Sequence, residues 1–287
     1  MNKVGIYYAF WERDWDADFV PYVKKVANLG FDILEVNSGT VTEMSDSQRI
    51  RLKDEARKYN IELTFCIGLT AQYDIASKDE GIRRNGINFL KRQAEMLKFM
   101  EAKELGGIIY SSWPGSLPAG EADKRPYWDR SVSAMKEVMK TVEDCDVLFN
   151  VEVVNRFEQY LLNTCEEAVD YINQVGSNHC KILLDSFHMN IEEDNIYDAI
   201  VRAGDKLGHV HIGETNRKSP GIGRFPWDEL AKGLKDIRYA GSVVMEPFLI
   251  PGGEVGRDIK IFRDLSIGID MDKEAKRALD FIREKLK

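Results

Sequence analysis

Four residues with oxygen or imidazole donors recur at nearly constant intervals in the second half of the chain. They are Glu152, Asp185, His211 and Glu246, separated by 33, 26 and 35 residues. Each stands at or near the end of an apolar run, most plainly Asp185, which closes Lys181-Ile182-Leu183-Leu184. An acid that ends a buried-strand pattern sits at the mouth of a sheet rather than in its core. One strand–helix unit of an α/β barrel takes about 30 residues, so the intervals are single units and the four side chains are expected on one rim. Two glutamates, an aspartate and a histidine form a hard, oxygen-rich set suited to Mn²⁺, Co²⁺ or Mg²⁺ and not to a structural zinc, which favours thiolates. Three crowded carboxylates would otherwise repel one another or take up protons. On residues alone each member keeps an ordinary alternative. Asp185 reads equally as the N-cap of a following helix, Glu152 as a polar strand residue, His211 as a hydrogen-bonded core histidine and Glu246 as the partner of Arg217. Pro247 favours extended backbone at Glu246, which fits a strand end.

The elements that would hold this rim are legible along the whole chain. Apolar runs predict strands at 4–9, 32–36, 62–68, 105–110, 147–154, 181–184, 208–212 and 242–245. Between them, helical spacing and end signals predict helices at 16–30, 45–59, 81–100, 127–142, 164–175, 194–203 and 226–237. Gly30 suits the position just beyond a helix. Ser45-Asp46-Ser47-Gln48 and Thr164-Cys165-Glu166-Glu167 have capping-box form, and Ile87, Leu90, Ala94 and Leu97 share one helical face. Eight strands alternating with helices predict a single (β/α)8 TIM barrel, with residues 1–287 as one domain. A doubly wound sheet would favour a Gly-rich phosphate loop; Gly106-Gly107 lies inside a strand and lacks that spacing. Three aromatics in Phe10-Trp11-Glu12-Arg13-Asp14-Trp15 either wall a pocket or pack on the first helix. Glu35, near the end of the second strand, is a weaker candidate for the same mouth, and His209 points to the same side as His211.

Composition narrows the function. A formal net charge of −8 and a pI near 5.3 argue against a nucleic-acid surface, which requires clustered Lys and Arg. With 44% hydrophobic and 31% charged residues the balance is that of an ordinary globular chain. There is no signal-peptide pattern and no apolar run of about 18 residues, so a cytoplasmic protein without a membrane partner is expected. Cys66, Cys145, Cys165 and Cys180 have no zinc spacing and are expected to be reduced thiols.

Longer motifs point to a family. The segments Gly-Ile-Tyr-Tyr-Ala-Phe-Trp at 5–11, Gly-Phe-Asp-Ile-Leu-Glu-Val at 30–36, Val-Glu-Val-Val-Asn-Arg-Phe-Glu at 151–158 and Leu-Asp-Ser-Phe-His-Met-Asn-Ile-Glu-Glu at 184–193 carry the first part. His-Val-His-Ile-Gly-Glu-Thr-Asn-Arg at 209–217, Val-Met-Glu-Pro-Phe at 244–248 and Gly-Arg-Asp-Ile-Lys-Ile-Phe-Arg-Asp-Leu-Ser at 256–266 carry the rest. Nearly end to end, the chain resembles the ketose 3-epimerases that act on D-allulose (D-psicose) and D-tagatose. The resemblance implies one divalent ion, Mn²⁺ or Co²⁺, on Glu152, Asp185, His211 and Glu246, with Glu152 and Glu246 also the acid/base pair. It further implies that Glu158, His188 and Arg217 contact a ketohexose near O1 to O3 and that Tyr7 and Trp113 wall the pocket. A homodimer or homotetramer is implied as well. In its sugar-contacting role Arg217 would pair with Glu158 or stabilise enediolate charge; without the resemblance, His188 would read as a helix cap and Arg217 as part of a solvated Arg-Lys pair at 217–218. Ser111-Ser112-Trp113 stands where the family more often has Ser-Tyr-Trp, and 38–43 follows no family pattern. Aldose–ketose isomerases share the barrel and similar ligands. A barrel class that cleaves abasic DNA would want a basic face, which this chain lacks.

Overall fold

The computed structural model describes residues 2–287. Short apolar strands buried on both faces are the pattern of a parallel sheet covered by helices, and eight of them form here. They are β1 (Val4–Tyr7), β2 (Ile33–Asn37), β3 (Glu62–Cys66), β4 (Glu104–Gly107), β5 (Leu148–Val153), β6 (Cys180–Asp185), β7 (Leu207–Ile212) and β8 (Ser242–Met245). Each pairs in parallel with the next, and β8 returns to β1 through Val4–Val243, Gly5–Val244 and Ile6–Met245, closing the (β/α)8 barrel.

Among the described residues eleven α-helices surround it: α1 (Val20–Leu29), α2 (Ser38–Glu43), α3 (Asp46–Tyr59), α4 (Glu80–Met100), α5 (Arg125–Cys145), α6 (Cys165–Val175), α7 (Ser186–Glu192), α8 (Ile196–Ala203), α9 (Trp227–Asp236), α10 (Gly253–Asp258) and α11 (Met271–Lys285). Every helix expected from spacing is present. The face of α4 built from Ile87, Leu90, Ala94 and Leu97 is buried, each of the larger side chains contributing about 1.5–3 kcal/mol. The capping box at Ser45 closes in both directions: Gln48 N donates to Ser45 Oγ, and Ser45 N donates to the Gln48 side chain. At Thr164 the hydroxyl accepts from Glu167 N, but the Glu167 carboxylate accepts from Asn163 N, one residue earlier than the motif implies.

Several boundaries differ from expectation, among them the end of β3 at Cys66 and both ends of α5, and three of the shifts have identifiable reasons. Helix α1 starts at Val20, not at residue 16, with Pro21 in its first turn where a missing N–H costs nothing. Strand β1 stops at Tyr7 because residues 8–10 coil into a 3-10 turn. Strand β4 stops at Gly107, whose φ of +117° ends the extended run; a Cβ there would lie 2.1 Å from the Ile67 carbonyl oxygen. Helices α2, α7 and α10 are one to two turns long, too short for periodicity to reveal.

The lower interior of the barrel is polar. His209 lies between Glu35 (3.2 Å) and Glu104 (3.3 Å), and Glu104 also accepts from Asn150 (3.0 Å) and Ser242 (2.6 Å). Burial opposes a charge on His209, but the two carboxylates outweigh it and raise the ring to about 9. Burial alone would lift both carboxyls, and the imidazolium between them draws Glu104 below its ordinary value. Among the described residues no helix is long and apolar enough to cross a membrane.

Candidate active site

Consecutive strands deliver the rim. Glu152 lies in β5, Asp185 ends β6, His211 lies in β7 and Glu246 follows β8. All four are buried, and one donor atom from each lies within 4.8 Å of the others. The orientation of His211 is set from behind. Its Nε2 is 2.7 Å from Glu35 Oε1, and Thr64 Oγ1 donates to the other Glu35 oxygen at 2.9 Å. That leaves His211 Nδ1 facing Glu152 Oε1 and Glu246 Oε2, 3.6 Å from each, buried and without a hydrogen-bond partner. Burial opposes charging this ring, yet the carboxylates hold it well above its ordinary value. A divalent cation would replace that proton, so an orphaned nitrogen among three carboxylates fits one.

Two alternatives open at the sequence level prove compatible with the cluster. Asp185 is both N-cap and cluster member: Oδ1 accepts from Phe187 N at 2.6 Å, while Oδ2 faces Arg217. Glu246 likewise faces Arg217, at 3.0 Å, without leaving the rim. Although burial works to raise Asp185, the Arg217 charge outweighs it and draws the carboxyl down to about 2. Glu246 behaves in the opposite sense. Burial raises it to about 8, His211 and Arg217 pull it back, and repulsion from Glu152 and Asp185 adds to the rise.

Arg217 is held firmly. Its guanidinium lies over the rings of Phe187 (4.4 Å) and Phe248 (5.3 Å), and Nη1 donates to Asp185 Oδ2 at 2.7 Å. Its φ is +62°, a left-handed conformation uncommon outside glycine and often found at functional sites. The surrounding loop is tied by buried Glu214, which accepts from Gly221 N, Phe225 N and Trp227 Nε1. The expected pairing of Arg217 with Glu158 is replaced by these contacts. Glu158 instead accepts from Trp113 Nε1 (3.1 Å) and Asn155 Nδ2 (3.2 Å). His188, which apart from the family resemblance reads as a helix cap, sits inside α7 with Nδ1 against Asn155 and Nε2 3.3 Å from Arg217 Nη2, the cap being Asp185.

A cavity of about 640 Å³ opens above the rim and is lined by Glu152, Glu246, Glu158, His188 and Arg217 on one side. Tyr7, Trp15, Cys66, Trp113 and Phe248 are among the other lining residues, with Glu43 and Asp258 also on the wall. The aromatic loop after β1 therefore divides: Trp15 faces the cavity, whereas Trp11 packs on Tyr22 of α1. Sequence reasoning missed Asn155, Phe248 and the support from Glu35 to His211. The first two lie inside the quoted motifs at 151–158 and 244–248, so their signal was proximity to named residues.

A family model described as xylose isomerase-like TIM barrel matches residues 23–285. The D-psicose 3-epimerase of Ruminiclostridium cellulolyticum is 49% identical over 284 residues, covering 98% of this chain and 97% of the relative. An L-ribulose 3-epimerase from Methylomonas sp. is 30% identical, covering 96% and 94%. Among solved structures, a D-psicose 3-epimerase from Clostridium cellulolyticum H10 with D-tagatose superposes with a TM-score of 0.96 at 48% identity, over 99% of each chain. This chain is a carbohydrate epimerase, and it belongs to the ketose 3-epimerase family within the xylose isomerase-like TIM barrels.

Proposed function

We propose that the protein is a divalent-metal-dependent 3-epimerase that interconverts D-fructose and D-allulose through a cis-enediolate. The reading rests on relatives named for D-psicose and, above all, on one observation: Glu152 and Glu246 each stand 3.6 Å from the partnerless Nδ1 of His211. Glu152, Asp185, His211 and Glu246 would hold the ion. When bound, it supplies Lewis-acid stabilisation of the charge that develops on O2 of the ketose. One of the two glutamates takes the C3 proton, and the other returns a proton to the opposite face of the planar intermediate, inverting C3. Arg217, fixed between Phe187 and Phe248, adds positive charge beside the developing enediolate. Glu158, oriented by Trp113 and Asn155, accepts a hydroxyl of the sugar. Tyr7, Trp15 and Trp113 exclude water and offer apolar faces to the carbons of the substrate.

Position of the transferred proton separates epimerisation from aldose–ketose isomerisation. Incubating D-fructose with the metal-loaded enzyme in D₂O is expected to place deuterium at C3 and to form allulose. Label confined to C1 or C2, with an aldose as product, would overturn the proposal. A panel of ketohexoses run with metal-free and Mn²⁺-loaded enzyme tests both the metal requirement and the preference for this pair over tagatose and sorbose.

A further inference from the structure

We propose that Asn155 is a positioning residue that fixes His188 as a neutral imidazole protonated on Nε2, a hydrogen-bond donor for a sugar oxygen and not a base. The donor role rests on the epimerase reading above; the tautomer does not.

The hydrogens around the ring decide the tautomer. Asn155 is buried, and its Oδ1 accepts from Phe157 N at 2.9 Å, which fixes the amide with Nδ2 on the other side. The two hydrogens of Nδ2 serve His188 Nδ1 at 2.7 Å and Glu158 Oε1 at 3.2 Å. The Asn155 backbone N–H points to the same His188 Nδ1 at 3.2 Å. A backbone N–H only donates, so Nδ1 must present its lone pair, and the ring proton of a neutral imidazole goes to Nε2. The opposite tautomer would set an N–H against two donors in order to accept one contact from Arg217 Nη2 at 3.3 Å, the longest contact around the ring. An imidazolium would face donors at both nitrogens, and burial also holds the ring below its ordinary value.

The Nε2 hydrogen is thus left beside another donor, Arg217, on a residue that lines the cavity. A ketose oxygen there would be its acceptor. A neutral donor strengthens its bond as charge grows on an enediolate oxygen, and it contributes without moving a proton. Proton transfer at C3 then stays with the two glutamates. Asn155 couples this to the sugar hydroxyl contact, because the same amide orients Glu158.

Nitrogen NMR decides the tautomer directly. The chain has 4 histidines, so ¹⁵N-His labelling of enzyme loaded with diamagnetic Mg²⁺ gives few signals, and His188→Gln assigns the one that matters. The expected wild-type pattern is an Nε2-protonated ring. Asn155→Asp places an acceptor where Nδ2 stands and is expected to move the pattern toward protonated Nδ1. It should also lower kcat by about 10–100-fold while KM changes by less than roughly threefold. Asn155→Ala keeps the backbone donor at 3.2 Å but loses the amide at 2.7 Å, and should leave Nε2 the favoured site while Nδ1 protonation becomes newly populated. An Nδ1-protonated His188 in the wild type overturns the proposal, as does an unshifted spectrum in a folded Asn155→Asp. If Asn155→Asp does not fold, the wild-type spectrum still decides. These spectra need no turnover, so they separate failure of the tautomer from failure of the epimerase reading in the deuterium-labelling experiment.

Discussion

Strands β5 to β8 each bring one donor to the rim, Glu152, Asp185, His211 and Glu246, whereas β1 to β4 end in Tyr7, Asn37, Cys66 and Gly107. The second half of the barrel carries the rim's charge, whereas the first four strands end in uncharged residues, although Glu43 of α2 also lines the cavity. The difference follows from what a ketose needs: one end beside fixed charges, and the remaining carbons against uncharged surfaces, burial pushing the Tyr7 hydroxyl and the Cys66 thiol well above their ordinary values. The division has one breach. Glu35, from β2, reaches across the interior to His211, 176 residues away, and the same carboxylate pairs with His209. The first half therefore orients a rim residue without joining the rim.

Removing a rim carboxylate tests the charged half and should have the largest effect. Glu152→Gln and Glu246→Gln are each expected to lower kcat by at least about 10³-fold, with metal content verified by elemental analysis. Rates within tenfold of wild type at full metal occupancy would show that the two halves do not differ in the way described. Glu35→Gln tests the breach. It withdraws the negative charge behind His211 Nε2 and is expected to weaken metal binding by about 10–100-fold, measured by calorimetry, with a smaller change in kcat at saturating metal. Unchanged affinity would make Glu35 a partner of His209 alone.

The wall predicts a smaller change. Trp113→Phe keeps an aromatic face but removes the hydrogen bond to Glu158, so KM for the preferred ketose should rise about fivefold to tenfold with kcat nearly constant. A fall in kcat matching the rim variants would place Trp113 among the groups that act on the transition state.

The rim was legible because barrel units of similar length put strand ends at similar intervals, so Asp185 and its neighbours could be found by counting. Chain order also carried the barrel itself. What counting could not supply was anything decided across the axis. Nothing local links Glu35 to His211, or Glu104 to His209, because those contacts depend on how the closed sheet brings distant strands together. Arg217 was legible as a residue but not as a geometry, since its place between Phe187 and Phe248 depends on the fold of the loop tied by Glu214. Short helices α2 and α7 were hidden by length. Helix α11 was readable from Ala275, Ala278, Leu279 and Ile282 and was overlooked.

A pH series of thermal unfolding sharpens the contrast between rim and interior with the smallest signal. His209 is raised from an unfolded value near 6.5 to about 9, so its contribution is full below pH 6.5 and is lost as the pH rises through 9. Glu246 is raised from about 4.5 to about 8, so in metal-free protein its contribution is full below pH 4.5 and is lost as the pH rises through 8. Both therefore destabilise metal-free protein toward alkaline pH, by roughly a few °C in Tm. Metal loading separates them. An ion on Glu246 and His211 needs both groups deprotonated, so its binding releases protons and the stabilisation it adds should grow from pH 5 to 8. The His209 contribution lies below the rim, between Glu35 and Glu104, and should persist in metal-loaded enzyme as a decline in Tm that runs from about pH 6.5 to about pH 9. A metal increment that is flat across pH 5 to 8 would remove the protonated Glu246 from the rim. Loss of the alkaline decline on metal loading would instead join the interior triad to the rim as one titrating unit.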